Sequence, residues 1–287
     1  ALTAGLFVSG CGSDKAGGIG SVVSSVVDGG SDEKAAAKLN TLIDATNRFN
    51  GDNATWGQNY ADSLAKLKGG FQEGAIGRQP HYDTLKDALE KSKKEGSTFK
   101  EVDTERDNVL NILNELVPTF KDLKAYDDSK AYMNDGGAKG KELAAKYVAQ
   151  VEKFDAAYAK FNDALNKANT EQTKKQIEKL KKDGKKGYAA AMESTLRLTT
   201  LVENVEKAPK NADKQAVEKE LNEIQTLLKS INNDRGEVLV NSYNSVVGSV
   251  RQVLNDANEN NLNDMIENFN NYIESYNNTT PDQFDSK

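Results

Sequence analysis

The single cysteine, Cys11, is the position of this sequence with the clearest chemistry. It follows a short apolar stretch, residues 2–7, and is preceded directly by an aliphatic residue and two small residues, Val8, Ser9 and Gly10. Small residues suit a signal-peptidase cleavage site, and the apolar stretch is too short to span a bilayer. A thioether-linked diacylglycerol on Cys11, with an N-acyl chain added after cleavage, would supply at least two hydrocarbon chains. At about 0.8 kcal/mol per buried methylene, two such chains form a stable membrane anchor.

This pattern is a bacterial lipobox, so it predicts a palmitate-bearing lipoprotein of the bacterial cell envelope. Residues 1–10 are then the remnant of a signal peptide. The residue after the cysteine is Gly12 and not Asp, which by analogy with Gram-negative lipoproteins favours the outer membrane, facing either the periplasm or the surface. The Gly/Ser-rich stretch over residues 11–31 is expected to be a flexible tether.

No other motif in the chain indicates a reaction. The only histidine, His81, lies in a Gly/Pro-rich loop over residues 69–81, so the usual nucleophile–base pairs of hydrolases lack a member. No histidine is spaced with glutamate as in the metal sites of helical bundles. The glycines at 17–20 lie in the predicted tether and not after a strand, which excludes a phosphate-binding loop. We therefore expect no enzyme, no catalytic residue, no cofactor and no metal.

The amino-acid composition argues against some classes of binding partner. The 287 residues carry a net charge of −6, with 29% charged and 37% hydrophobic residues. An acidic balance argues against a nucleic-acid partner, because phosphate contacts need a basic face. The same balance argues against a polybasic mode of membrane binding, so membrane attachment is assigned to the lipid on Cys11. One cysteine allows no disulfide within the chain, and stability must come from packing.

Apolar residues recur at steps of three and four over most of the chain, which is typical of amphipathic helices. The spacing predicts helices over about 32–50, 53–68, 82–95, 98–125, 141–168 and 171–206, and three more closing the chain. Breaks are expected at Gly51 and between residues 168 and 171. The predicted fold class is all-α, an elongated antiparallel helical bundle preceded by a flexible lipidated tether. The bundle domain is assigned to residues 32–278, and residues 279–287 are expected to be a polar, frayed tail.

A turn-rich segment over residues 126–140 joins two of the long predicted helices. It concentrates tyrosines and charged side chains, and loops held by rigid helices often bind partners. We take these residues as a candidate recognition surface: Tyr126, Asp127, Asp128, Lys130, Tyr132, Asp135 and Lys139. The alternative is a structural connection between helices with solvated charges. A weak calcium site on the three aspartates also stays open, although their spacing does not match an EF-hand.

The same segment carries a family resemblance. It contains Tyr126-x-x-x-Lys130-x-Tyr132-x-x-Asp135, then Ala138-Lys139-Gly140-Lys141-Glu142-Leu143, then Phe154-Asp155-x-Ala157-Tyr158-x-x-Phe161. With Leu39-Asn40-x-x-Ile43 near the start and Phe269-Asn270-x-x-Ile273 near the end, the chain resembles the YiiG-like family of bacterial lipoproteins over about residues 35–278. That family is a domain of unknown function. The resemblance implies a lipid-anchored helical fold outside the cytoplasm, and it implies no activity and no catalytic residues.

Three functional hypotheses follow from these patterns. The first is a non-enzymatic, lipid-anchored binding or scaffold protein with a protein partner in the envelope. The second is a lipoprotein that binds a small ligand in an interhelical pocket, lined by Tyr147, Tyr158, Tyr188 or Tyr243. The third is a carbohydrate-active enzyme that uses only carboxylates. A large apolar cavity would favour the second hypothesis, and a cleft with two facing carboxylates would favour the third.

Overall fold

The structure of the chain is a computed structural model, and it describes residues 31–77, 79–96 and 99–286. Within the helices, the side chains of 31–34 and 52–58 are not part of that description. Cys11, the predicted signal remnant and the predicted tether up to residue 30 therefore lie outside the described residues. The predicted helix start at Ser97 and Thr98 lies outside them as well.

The described residues form ten α-helices and one 3-10 turn. The 3-10 turn is Pro209–Asn211. In chain order the α-helices are α1 (Ser31–Lys68), α2 (Tyr82–Lys94), α3 (Lys100–Asp128), α4 (Tyr132–Asp135), α5 (Ala138–Lys182), α6 (Lys186–Lys207), α7 (Lys214–Lys229), α8 (Asp234–Asn255), α9 (Glu259–Asn277) and α10 (Pro281–Phe284). The predicted all-α class and helical packing are confirmed. Over the described part of the chain, none of these helices is both long and apolar enough to cross a membrane.

Contacts divide the chain into two compact units, with the boundary after Ala168, inside α5. The bundle domain predicted over residues 32–278 includes parts of both units. In the first unit, α1, α2, α3 and the first part of α5 turn their apolar stripes into one core. Its largest fully buried side chains are Tyr147, Phe161, Leu39, Leu42, Leu113 and Leu116.

The second unit contains the rest of α5 and the helices α6 to α10, again around one core. Tyr243, Tyr272 and Phe269 are fully buried in it. Its helices begin with side-chain caps: Asp213 accepts from backbone N–H groups of α7, and Asn233 does the same for α8. Such caps satisfy N–H groups that have no partner within the helix, which fixes where each helix begins.

Two predicted helix breaks are wrong. α1 runs through Gly51 without interruption. A glycine inside a helix costs about 1 kcal/mol, but Phe49 and Tyr60 on either side are buried in the same core, and their burial outweighs that cost. α5 also continues through residues 169–170, because Ala168, Thr173 and Ile177 extend its buried stripe.

The chain turns at Gly184 instead of at 169–170. Gly184 has a φ of +80°, a left-handed conformation that glycine adopts without steric cost. The sequence analysis noted Gly184 and Gly187 only as weak points inside one helix running from 171 to 206. Because of this left-handed turn at Gly184, α5 ends at Lys182 and α6 begins at Lys186.

The C-terminal segment packs into the second unit, so the expectation that it frays is not met. Phe284 is buried and stacks on Tyr188 and Tyr276, with ring centroids 5.9 Å apart in both pairs. The side chain of Asn233 donates to the backbone carbonyls of Gln283, Phe284 and Ser286. One apolar ring in a polar sequence thus fixes the position of this segment.

Candidate functional site

The seven predicted recognition residues all lie in the connection between α3 and α5, residues 126–140, which we call the α3–α5 corner. The sequence analysis expected turns throughout, whereas α3 extends to Asp128 and α4 forms one helical turn inside the corner. Lys130 has a φ of +53°, and Gly136 and Gly137 have values of +64° and +83°. A lysine in this left-handed region is strained, so the surrounding contacts must hold the corner in place.

The first of these contacts is aromatic. Phe71, from the loop after α1, packs edge-on against Tyr126 with ring centroids 5.2 Å apart, and its ring lies 5.8 Å from that of Tyr132. Gly140 makes this packing fit, because a Cβ there would lie 2.6 Å from Phe71 Cγ and 2.6 Å from Tyr126 Cε1. Aromatic pairs in this geometry add about 0.5–1.5 kcal/mol beyond the area they bury.

The second contact is a hydrogen-bonded carboxylate at the centre of the corner. Asp135 Oδ1 accepts from Tyr126 Oη at 2.5 Å and from the Gly137 backbone N–H at 2.9 Å, and Oδ2 accepts from the Lys139 N–H at 3.1 Å. The Tyr126 hydroxyl, helped by the two N–H groups, lowers the pKa of Asp135 below its usual value, although desolvation opposes this. Burial, and then Asp135, raise the pKa of Tyr126. The group is therefore a charged acceptor held by three donors.

The loop after α1 makes two further contacts with the corner. A hydrogen bond to Glu73, followed by burial, raises the pKa of Tyr132 to about 12. The Gly74 N–H donates to Asp127 Oδ1 at 3.5 Å. Tyr126, Asp127, Tyr132 and Asp135 thus form one interlocked cluster with this loop.

The remaining predicted residues are exposed. Asp128 pairs with Lys124 of the same helix at 2.9 Å, and Lys130 and Lys139 are exposed. The structure thus brings four of the seven residues together in the cluster, and Asp128, Lys130 and Lys139 lie outside it at the surface. A recognition surface needs exposed side chains in fixed positions. In this corner the cluster holds the backbone, and this fixes where the exposed side chains lie.

The sequence analysis missed the most exposed apolar side chain of the corner, Met133. Among the large hydrophobic residues of the described chain, Met133 at 76% and Val238 at 41% are the exposed ones. Met133 is in α4, between the two clustered residues Tyr132 and Asp135. The sequence offered one signal for Met133: it is an apolar residue in a segment where the helical spacing stops. This signal is weak, because single exposed apolar residues are common.

The calcium alternative finds no support in the corner. The described residues include no group of three or more His, Cys, Asp or Glu placed to hold a metal ion. The three aspartates are engaged separately: Asp127 by Gly74, Asp128 by Lys124, and Asp135 by Tyr126. Their oxygens serve as acceptors within the fold.

The four tyrosines proposed to line a ligand pocket are packing residues. All four are buried. Their partners are, in order, the Gln79 side chain for Tyr147, Asn50 for Tyr158, the stacked Phe284 ring for Tyr188 and the Leu221 carbonyl for Tyr243. Since each ring already has a partner inside its own unit, these residues do not indicate an open cavity.

Comparison with known proteins gives one match. The family model described as Protein of unknown function (DUF3829) matches residues 33–268. No curated protein and no solved structure matches the chain. The matched range includes the whole α3–α5 corner and most helices of both units. The chain therefore belongs to the DUF3829 family of proteins of unknown function.

Proposed function

We propose that this protein is a non-enzymatic, lipid-anchored binding or scaffold protein of the bacterial cell envelope that binds a protein partner through the α3–α5 corner. The observation that carries the proposal is Met133, an apolar side chain 76% exposed on a segment held by an interlocked cluster. Single exposed apolar residues are common, but protein interfaces are enriched in methionine, and Met133 lies among exposed charged side chains on a segment held in place.

The surroundings of Met133 suit a protein interface. Interfaces have an apolar centre with a polar rim, and here Asp128, Lys130 and Lys139 are exposed in the same corner. Both charge signs are present, which favours a partner surface of mixed charge. Because the Asp135 cluster already fixes the backbone, binding loses little conformational entropy in this segment.

The membrane anchor is supported by the sequence. Val8, Ser9 and Gly10 before Cys11 fit lipidation, and the resemblance to the YiiG-like family implies the same compartment. Lipid on Cys11, followed by the Gly/Ser-rich stretch, would hold the bundle at a membrane, with the outer membrane favoured by Gly12.

The partner surface is tested by replacing its apolar centre. We expect Met133→Asp to weaken capture of envelope partners at least about tenfold, because residues that dominate interfaces contribute about 2 kcal/mol or more. Val238→Asp is the matched control, as Val238 is the other exposed large apolar residue. The measurement is crosslinking and quantitative pull-down of the mature protein, with circular dichroism to check folding. Equal capture by both variants and the parent chain would refute the assignment.

The anchor is tested separately at Cys11. In cells that express the protein with an intact signal peptide, Cys11→Ala should abolish labelling by palmitate and release the protein from the membrane fraction, while Ser9→Ala keeps both. A Cys11→Ala protein that stays membrane-bound and labelled would contradict the anchor. This result would leave the partner surface unaffected.

A further inference from the structure

The end of α5 and the start of α6 carry a charge opposite to that of the whole chain. Residues 174–186 contain seven lysines and two acidic residues, within a chain of net charge −6. Electrostatic attraction in salt solution acts over about 10 Å, so a binding partner responds to this local charge. The protein therefore has a locally basic surface although its net charge is negative.

Most of these lysines are not used within the fold. Lys181 pairs with Glu178 at 3.3 Å and with Glu193 at 2.8 Å, and Lys185 lies 3.6 Å from Asp282. The other five form no ion pair within the described residues, and all five are exposed: Lys174, Lys175, Lys179, Lys182 and Lys186. Of the two acidic residues in the segment, Glu178 pairs with Lys181, so seven lysines against two acids leave a surplus of positive charge.

Four of these five lysines lie close together near the end of α5. Lys175, Lys179 and Lys182 follow each other at steps of four and three, which places them on one face of α5 over about 10 Å. With Lys174, Glu178 and Asp183 they line a shallow surface depression. We call these four lysines, at 174, 175, 179 and 182, the lysine face.

Helix stability does not account for the lysine face. Cations stabilise the last turn of a helix through its dipole, which covers Lys179 and Lys182 at the end of α5. Lys174 and Lys175 lie about two turns from that end. Like charges at a spacing of four, as in Lys175 and Lys179, destabilise a helix by about 0.2–0.5 kcal/mol. Four exposed lysines that the helix does not require, close together on one surface, point to a ligand of opposite charge.

We propose that the lysine face binds the anionic headgroups of a lipid bilayer. A bilayer presents dense phosphate charge over an extended surface, which matches several cations side by side on an exposed helix. Single-stranded nucleic acid fits less well, since residues 174–186 include no aromatic side chain on which bases could stack. This inference goes beyond the proposed function and does not depend on lipid at Cys11. It also revises the expectation, drawn from net charge alone, that no polybasic membrane contact exists.

The test uses the full chain with Cys11→Ser, so that no lipid is attached. Binding is measured by co-sedimentation with phosphatidylcholine vesicles that contain phosphatidylglycerol, and with vesicles of phosphatidylcholine alone. The lysine-face variant combines Lys175→Gln, Lys179→Gln and Lys182→Gln. The matched control combines Lys146→Gln, Lys153→Gln and Lys160→Gln, three exposed lysines of α5 that also follow one face and form no ion pair within the described residues.

We expect the parent chain to bind the anionic vesicles only, and to be released as salt is raised. The lysine-face variant should bind roughly 100-fold more weakly, since each lysine near an anionic surface contributes about a fivefold factor. The control variant should bind like the parent. Absence of binding to anionic vesicles, equal binding to neutral vesicles, or equal losses in the two variants would each overturn the proposal. Tighter binding to a single-stranded oligonucleotide than to the vesicles would overturn it as well.

Discussion

The chain turns twice at the ends of α5, and the two turns are built differently. The α3–α5 corner is held by a cluster that includes aromatic packing: Phe71 from the loop after α1 packs with Tyr126 and Tyr132, and Asp135 accepts three hydrogen bonds. At the α5–α6 corner, residues 183–186, the turn itself is open, because a Cβ added at Gly184 would meet no atom within 4 Å. The close contact comes one residue after this corner, where a Cβ at Gly187 would overlap the Phe284 backbone oxygen.

The support of the second corner is a cap from the C-terminal segment. Asp285 Oδ1 accepts from the Gly187 backbone N–H at 2.6 Å, so the C-terminal segment caps the first turn of α6. The first corner combines a fixed aromatic cluster with an exposed apolar side chain, Met133, among exposed charges. The second corner follows directly after the exposed lysine face of α5. We therefore propose a defined docking surface at the first corner and diffuse electrostatic binding next to the second.

The largest expected effect tests the internal packing of the first corner. Gly140→Ala should lower the free energy of unfolding by about 1–3 kcal/mol, because the added methyl overlaps the rings of Phe71 and Tyr126. Gly248→Ala is the control, since a Cβ at this helical glycine meets nothing within 4 Å. It should be neutral or stabilise by about 0.5–1 kcal/mol. Urea unfolding measures both, and equal stability of the two variants would contradict the packing.

The next effect tests the external cap of the second corner. Asp285→Ala should cost about 1 kcal/mol, the usual loss when a helix loses its side-chain cap. The control is Asp282→Ala, which removes a carboxylate from the same segment. The Asp282 side chain is 91% exposed, so this change should affect stability little. Hydrogen exchange of the amides at the start of α6 reports the cap directly. Protection unchanged in Asp285→Ala would show that the segment does not hold the corner.

A smaller effect concerns pH in the first corner. The folded-state pKa of Asp135 is lowered, so its stabilisation is full above the unfolded value of about 3.9 and is lost as pH falls through the folded value. Tyr126→Phe removes the hydroxyl that contributes most to lowering the pKa of Asp135. The pKa of Asp135 should therefore rise, and part of the acid-sensitive stability should be lost. A carboxyl-carbon NMR titration of both proteins measures the shift. An unchanged pKa in Tyr126→Phe would mean that this hydrogen bond does not form.

The smallest expected effect is on the lysine face. Replacing Lys175, Lys179 and Lys182 by Gln removes like-charge repulsion and also a favourable dipole contact, each worth a few tenths of a kcal/mol. Thermal unfolding should therefore be nearly unchanged. A large loss of stability would show that these lysines have a structural role, and the contrast between the two corners would fail.

Much of this fold follows from helical spacing, and the exceptions have identifiable causes. The stripes of α3, α7, α8 and α9 predicted those helices, because one buried face at steps of three and four leaves few alternatives. The helix break predicted at Gly51 is wrong because the helix-propensity cost of a glycine, about 1 kcal/mol, is smaller than the stabilisation from burying Phe49 and Tyr60. Tertiary burial was not visible from the local sequence.

The candidate site shows a similar limit. Composition and turn signals located the α3–α5 corner, but the contacts that define it come from Phe71 and Glu73, more than fifty residues earlier in the chain. Pairings over such distances leave no local signature. The buried position of Phe284 and the exposure of Met133 were missed for the same reason, because a single residue carries no periodicity.

The central claim, that the α3–α5 corner binds a partner in the envelope, is tested most directly by photocrosslinking in cells. A photoreactive amino acid would replace Met133 in one strain and Val238 in another, the two exposed large apolar positions of the described chain. We predict a defined covalent adduct with one envelope protein from position 133, and no such adduct from position 238. No adduct from position 133, or the same adducts from both positions, would contradict it.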